Sequence, residues 1–327
     1  MRPSSIFLLS CLLILAAFFT PTLPVQAADP AVQAQLDHFN RVVGTRVETV
    51  AILDGEDGAS GGLYSFNNES SLNITKFGGR GTVGEPRPIG TTGMTWLPLI
   101  GGHIGYSEAK NDFKDISWLA GNSERYTSYA LGCEAGARIF LTDQISIAPI
   151  LGLIYSQTRS SFSERTPAGV ELKRIYEGQL VDWYVDTLSL VPSLEVQYKK
   201  ILAEDWKVTL TSSYAWFTTR DVARSSIYQK ISGHSSYWDN RADLDVRLPL
   251  KLFGFPLHTG SFVSAGIPGG DLREGLDSSA IYALNGRLVL GDLKGLGILD
   301  WVGLGVTYFQ SNNFSGFSWG LDMSFAL

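Results

Sequence analysis

From Tyr129 to its last residue the chain alternates large apolar side chains with small or polar ones at a period of two. Tyr129, Leu131, Cys133, Ala135, Ala137 and Ile139 interleave with Ala130, Gly132, Glu134, Gly136 and Arg138. The same unit returns at Ile145–Tyr155, Leu188–Tyr198, Trp206–Trp216, Ala242–Leu250, Leu257–Ile267, Tyr282–Leu290 and Gly297–Gln310. The final stretch is the cleanest. Phe317, Trp319, Leu321, Met323, Phe325 and Leu327 share one face, and Ser318, Gly320, Asp322, Ser324 and Ala326 share the other. Such alternation predicts strands held between an apolar and an aqueous phase.

The connections alternate as well. Leu141–Gln144, Ile201–Asp205 and Phe253–Pro256 are short, whereas Gln157–Asp182, Thr218–Trp238 and Pro268–Ser279 are long and polar. Upstream the pattern is weaker. Thr45–Leu53 reads as a first strand, Asp54–Gly62 as an acidic glycine loop, and Leu63–Phe77 as a strand blurred by Asn67–Ser71. Gly78–Gly90 reads as a turn region and Met94–Tyr106 as a strand. Counting back from the end gives about twelve strands, an even number with short turns on one side and long loops on the other. The expected fold is all-β: a transmembrane antiparallel β-barrel of about 12 strands, closed by pairing the last strand with Thr45–Leu53. An exported β-sandwich also alternates, but it turns its apolar faces inward and needs no terminal aromatic ladder.

The N-terminus divides differently. Arg2, the apolar run Ile6–Phe19 and the small-x-small step Val25-Gln26-Ala27 read as a signal peptide over residues 1–27. The run, about fourteen residues, is too short to span a bilayer as a helix. Residues 28–44 place Val32, Leu36, Phe39 and Val43 at helical spacing, with Pro30 in the first turn and Gly44 after the last. That helix would be roughly 20 Å long. It is a candidate plug inside the pore, with a periplasmic stub as the other reading. Residues 45–327 are then the barrel.

Composition narrows the class. With 2 Cys in all, at Cys11 and Cys133, removal of the signal leaves one thiol and no intrachain disulfide. Mean hydropathy of +0.06 is too low for a helical membrane protein. The 35 Gly, 8 Trp and 13 Tyr suit glycine-containing strands with aromatic girdles. A net charge of −6 argues against a nucleic-acid partner.

Candidate chemistry is sparse. The faces expected to look inward carry Glu134, Arg138, Glu195, Lys199, Lys207, Arg241, Asp243, Asp245, Arg247, Lys251, Arg287 and Asp322. Mixed signs favour pairing across strands, and pore selectivity is the second reading. The scattered histidines and lone thiol make no metal set, and no cofactor motif is present. His234 stands two residues before Ser236, the spacing of an imidazole that could activate a hydroxyl. This is similar to the His-x-Ser element of outer-membrane phospholipase A and the lipid A deacylases, which continue with Asn where this chain has Tyr237.

The order of parts resembles an autotransporter β-domain: a signal peptide, a short helix, about twelve strands and a terminal ladder. Nothing long enough to be a passenger stands before the helix. With Val50–Gly55 and Ser60–Leu63, the chain is similar to the solitary outer-membrane autotransporter-type β-barrel family. The resemblance implies an integral outer-membrane protein with a structural or channel-type role and no catalytic residues. A small-solute pore and a lipid hydrolase at His234 and Ser236 stay open as alternatives. The implied partners are outer-membrane lipids and the barrel assembly machinery. The machinery would read Trp319, Leu321, Met323, Phe325 and Leu327, although many barrels end in Phe or Trp where this chain ends in Leu327.

Overall fold

The computed structural model describes residues 58–67, 71–112, 120–179, 181–203, 205–226, 229–291, 293 and 299–325, all within one compact unit. The signal peptide, the helix over 28–44, the strand over Thr45–Leu53 and Leu327 lie outside the described residues.

Twelve strands follow in chain order: β1 (Gly58–Phe66), β2 (Ser71–Thr82), β3 (Thr95–Asp112), β4 (Ser123–Phe140), β5 (Ile145–Ser163) and β6 (Tyr184–Ala203), then β7 (Trp206–Arg224), β8 (Ser232–Leu252), β9 (Phe255–Gly270), β10 (Ile281–Leu290), β11 (Leu299–Ser311) and β12 (Phe314–Phe325). Each pairs antiparallel with its sequence neighbours, and β1 pairs with β12, so the sheet closes. A two-residue extended piece, Arg87–Pro88, rides on β3 alone. Helix α1 (Pro167–Tyr176) lies in the loop between β5 and β6, and α2 (Asp271–Leu276) in the loop between β9 and β10.

Closure differs from the sequence expectation. The last strand pairs with Gly58–Phe66, in the register Gly58↔Asp322 to Phe66↔Phe314, not with Thr45–Leu53. The stretch expected to be an acidic glycine loop is a strand from Gly58 onward. Its small residues are what lets it lie under the rings of its neighbours. A Cβ on Gly61 would stand 3.0 Å from the Trp319 ring, and Tyr64 covers Gly316 on the opposite face. The blurred stretch around Asn67 is the hairpin between β1 and β2.

Strands β3–β8 are 18 to 21 residues long, well beyond the expected ends. About 9 to 11 residues cross a bilayer, so this wall projects past it on the long-loop side. The reason for the difference is chemical. Past Tyr129 and Tyr155 the outward positions become Thr127 and Arg125, or Gln157 and Arg159, so the apolar alternation stops while the pairing continues. For the same reason the expected loop Thr218–Trp238 shrinks to 225–231, because β7 runs to Arg224 and β8 starts at Ser232. At the opposite rim Phe253 and Gly254 form a two-residue hairpin turn with φ of 54° and 87°. Two consecutive positive φ values make this a type I′-like turn, where glycine avoids the Cβ clash.

The two faces of the wall are inverted relative to a soluble fold. Leu63 is 63 % exposed and Trp319 61 %, while Ser318, between their levels on β12, is 5 %. Transferring one such apolar side chain out of water is worth about 1.5–3 kcal/mol, so a belt of them demands an apolar surrounding. This excludes the sandwich, whose apolar faces would be covered. Inward hydroxyls pair across successive strands, Ser128 with Thr158 at 2.8 Å, Ser156 with Thr187 at 2.8 Å and Ser189 with Thr219 at 2.7 Å. Each such bond contributes on the order of 1 kcal/mol and keeps a buried polar group satisfied.

Candidate functional site: the lumen and the membrane belt

The inward faces separate into two levels. Towards the short-turn rim they are charged. Glu195 on β6 receives the Arg80 guanidinium from β2 and that of Arg138 from β4, each at 2.6 Å. Arg80 also stands 3.7 Å from Glu134. Across the barrel Arg241 grips Asp243 with Nε at 2.9 Å and Nη2 at 2.6 Å, and Arg287 approaches the same carboxylate at 3.7 Å. The Arg241 guanidinium also lies 3.6 Å from the centre of the Phe262 ring. Asp245 is 3.2 Å from His258 Nδ1. Asp322 is buried on the inward face of β12. Lys199 is half-buried, while Lys207, Arg247 and Lys251 are exposed.

Towards the long-loop rim the lumen is apolar. Tyr64, Leu72, Ile74, Phe262, Ile281, Phe309 and Phe314 are buried in one cluster with Leu272 and Leu276 of α2. A second cluster, on the opposite wall, joins Tyr126, Trp183, Val185 and Ile231. The sequence signal for these was visible only afterwards, as aromatic residues standing on polar faces. Helix α2 is pinned where it is: Asp271 Oδ2 accepts from the His234 amide at 2.7 Å, and the Leu272 amide donates to Ser235 Oγ at 3.0 Å. Asn313 Nδ2 donates to the Leu276 carbonyl at 3.1 Å. The sequence pattern predicts loop for this whole stretch, Pro268–Ser279, whereas the helix Asp271–Leu276 forms within it.

His234 and Ser236 lie on β8, not in a loop. Both are on the outward face, with Ser235 between them turned inward to hold α2. The His234 ring packs near Trp216, with centroids 6.4 Å apart. Among the described residues no hydrogen bond joins the His234 imidazole to the Ser236 hydroxyl. Asp239 is on the inward face, and Asn240 Oδ1 accepts from Ser212 at 2.9 Å, so neither orients the imidazole. No group of three or more His, Cys, Asp or Glu that could hold a metal occurs among the described residues.

Aromatic residues frame the outward belt. Tyr106 and Tyr129 are neighbours at 5.3 Å, and Tyr308 and Phe317 at 4.9 Å, near the long-loop side. Trp206 and Trp216 stand ten residues apart on β7, about 25 Å along the barrel axis for a tilted strand, which matches the apolar band of an outer-membrane barrel. The outward ladder of β12 carries Phe317, Trp319 and Leu321, all exposed, and Met323 partly so.

A closed, even-stranded, antiparallel barrel with an apolar belt and polar interior is an integral outer-membrane β-barrel. The short turns then face the periplasm and the long loops the exterior. Over residues 50–321 the chain matches the solitary outer membrane autotransporter beta-barrel domain, and it belongs to that family. Solved structures similar in fold are autotransporter units. The β-domain of the Bordetella autotransporter BrkA is 13 % identical with a TM-score of 0.53, covering 82 % of this chain and 97 % of that one. The transport unit of AIDA-I from Escherichia coli is 9 % identical with a TM-score of 0.54, covering 88 % and 99 %. The translocator domain of NalP from Neisseria meningitidis is 10 % identical with a TM-score of 0.50, covering 92 % and 100 %. Among curated protein sequences nothing matches.

Proposed function

We propose that this barrel serves as a closed component of the outer membrane, and that its own inward side chains and α2 hold the external half of the lumen shut. The observation that carries this is the apolar cluster of Tyr64, Phe262, Phe309 and Phe314 with Leu272 and Leu276 folded onto it. A standing aqueous pore would have those groups in water, at about 25 cal/mol for each Å² exposed. The charged periplasmic half supports the pore reading less, because Glu195 and Asp243 are already engaged by Arg80, Arg138 and Arg241. The similar barrels are described as translocator or transport units, so a transient opening for cargo is the channel-type form of the same proposal.

Conductance in planar bilayers tests it. Wild type is expected to be silent, and Leu272→Ser with Leu276→Ser is expected to produce openings. Deleting residues 28–44 separately asks whether the proposed plug helix adds a second barrier. Large, steady conductance by wild type would overturn the closed reading. Export completes the proposal: residues 1–27 act as a cleaved signal, so N-terminal sequencing of outer-membrane material should begin at Ala28. The barrel assembly machinery reads the closing ladder, and lipids surround the belt. The hydrolase alternative has the least support, since among the described residues no hydrogen bond joins the His234 imidazole to the Ser236 hydroxyl. Pure folded protein is expected to release no fatty acid from phospholipid or lipid A, and Ser236→Ala to change nothing.

A further inference from the structure

The lipid-facing wall carries a polar chain where the hydrocarbon is deepest. On β7, Ser212 stands between Trp206 and Trp216, at the middle of the belt. In register beside it on β8 is Asn240. Trp238 Nε1 donates to Ser212 Oγ at 3.0 Å, and Ser212 Oγ donates to Asn240 Oδ1 at 2.9 Å. Asn240 is exposed on the outward face, and no described residue accepts a hydrogen bond from its Nδ2. The chain therefore ends, on the exposed outward face, on an amide donor with no acceptor among the described residues.

The surface around it is a groove of about 610 Å³. Its lining includes the small Ser212, Ala242 and Ala265 beside Asn240, together with the larger Leu210 and Tyr282. Acyl chains can fill such a groove, but at mid-depth they offer no acceptor for the amide. An amide with no partner in hydrocarbon costs several kcal/mol. The occupant that removes that cost must bring an acceptor to the same depth.

We propose that this groove is a self-association face, and that its occupant is a second copy of this chain. Two copies inserted with the same orientation carry Asn240 at the same height. A two-fold axis along the membrane normal then brings the two carboxamides together. Each offers a donor in Nδ2 and a second lone pair on Oδ1, so the pair is self-complementary. The groove's small lining residues allow close approach of a second wall, as small residues do where transmembrane helices pack. The Tyr282 ridge of each copy enters the groove of the other. This inference is independent of whether the lumen is open or closed.

Sedimentation equilibrium of the full-length protein in density-matched detergent tests it, with energy transfer between labelled copies in vesicles as the second readout. Wild type should dimerise reversibly. Asn240→Leu should weaken the dimer about tenfold, with normal heat-modifiable mobility showing that the barrel still folds. Thr75→Leu, outward on β2 across the barrel, should leave the affinity unchanged. A monomer at every protein-to-detergent ratio, an Asn240→Leu affinity equal to wild type, or equal weakening by Thr75→Leu would each overturn the proposal.

Discussion

Arg80 and Glu195 meet at 2.6 Å although their strands, β2 and β6, stand four positions apart in the sheet. The contact is thus a chord across the lumen rather than a rung between neighbours. Arg138 completes it from β4, leaving Glu195, 5 % exposed, as the carboxylate that both guanidinium groups bond.

Removing that carboxylate should cost more than an ordinary surface pair. Glu195→Ala leaves two like charges facing each other in a partly buried site, a loss on the order of 3 kcal/mol. Glu195→Gln keeps an acceptor and should lose less. Adding Arg80→Leu and Arg138→Leu to Glu195→Ala should recover part of the stability, since the two stranded guanidinium charges are gone and Glu134 alone loses its neighbour. Urea unfolding in lipid vesicles reads all three. An unshifted midpoint for Glu195→Ala would show that the chord contributes nothing.

The barrel was legible from the sequence because the outer face has to be apolar for its whole height in the membrane. Leu131, Leu153 and Leu304 announce their strands without help from tertiary context. Beyond the girdle the outward positions turn polar, so Arg125, Gln157 and Arg159 read as loop while the backbone ladder continues. The first strand was hidden for the converse reason. Its Gly61 lies under the Trp319 ring, information that resides on β12 and not in the local pattern. The charged lumen positions could be named by parity alone, but which guanidinium meets which carboxylate depends on barrel circumference. Arg80 fell in a stretch read as a turn.

Cys133 gives a direct measure of which face is outside. It is exposed on β4, on the same outward face as Leu131 and Tyr129. In vesicles a lipophilic maleimide should label it, and a charged maleimide should not. Detergent solubilisation should narrow the difference. Rapid labelling by the charged reagent in vesicles would place Cys133 in water and reverse the faces of β4.

The external helix α1 should respond to pH at both ends of the scale. Lys173 Nζ lies 3.1 Å from Asp182 and 3.2 Å from Glu164. Hydrogen bonds to Asp182 and then Glu164 hold the ammonium above its ordinary 10.5. A backbone hydrogen bond, followed by Lys173, holds the Glu164 carboxyl below its ordinary 4.5. A depressed carboxyl stabilises the fold above its unfolded value, and that contribution is lost as pH falls through the folded one. A raised ammonium stabilises below its unfolded value, and that contribution is lost as pH rises through the folded one. Amide protection of α1, corrected for intrinsic exchange, should be flat between about pH 5 and 10 and decline on either side. Because these groups are solvent-exposed, the decline should be small and should fade further at high salt. Unchanged protection in Lys173→Met at neutral pH would refute the linkage.

The seam between β1 and β12 makes the sharpest demand on side-chain size. On the outer face β12 lays Trp319 over Gly61, its partner in register, and on the inner face β1 lays Tyr64 over Gly316. Each strand thus covers the other's glycine. A Cβ at Gly61 would press the Trp319 ring at 3.0 Å, so Gly61→Val should displace the ring and hinder closure. The double variant Gly61→Val with Trp319→Ala should close better than Gly61→Val alone, because the obstructing ring is gone. Asp322→Ala, inward on the same strand, should perturb the lumen while leaving assembly intact, whereas Phe325→Ala should slow assembly. Heat-modifiable mobility after timed refolding into vesicles separates these outcomes. If Gly61→Val closed at the wild-type rate, or the double variant fared no better than the single one, ring-over-glycine packing would not be what sets the seam.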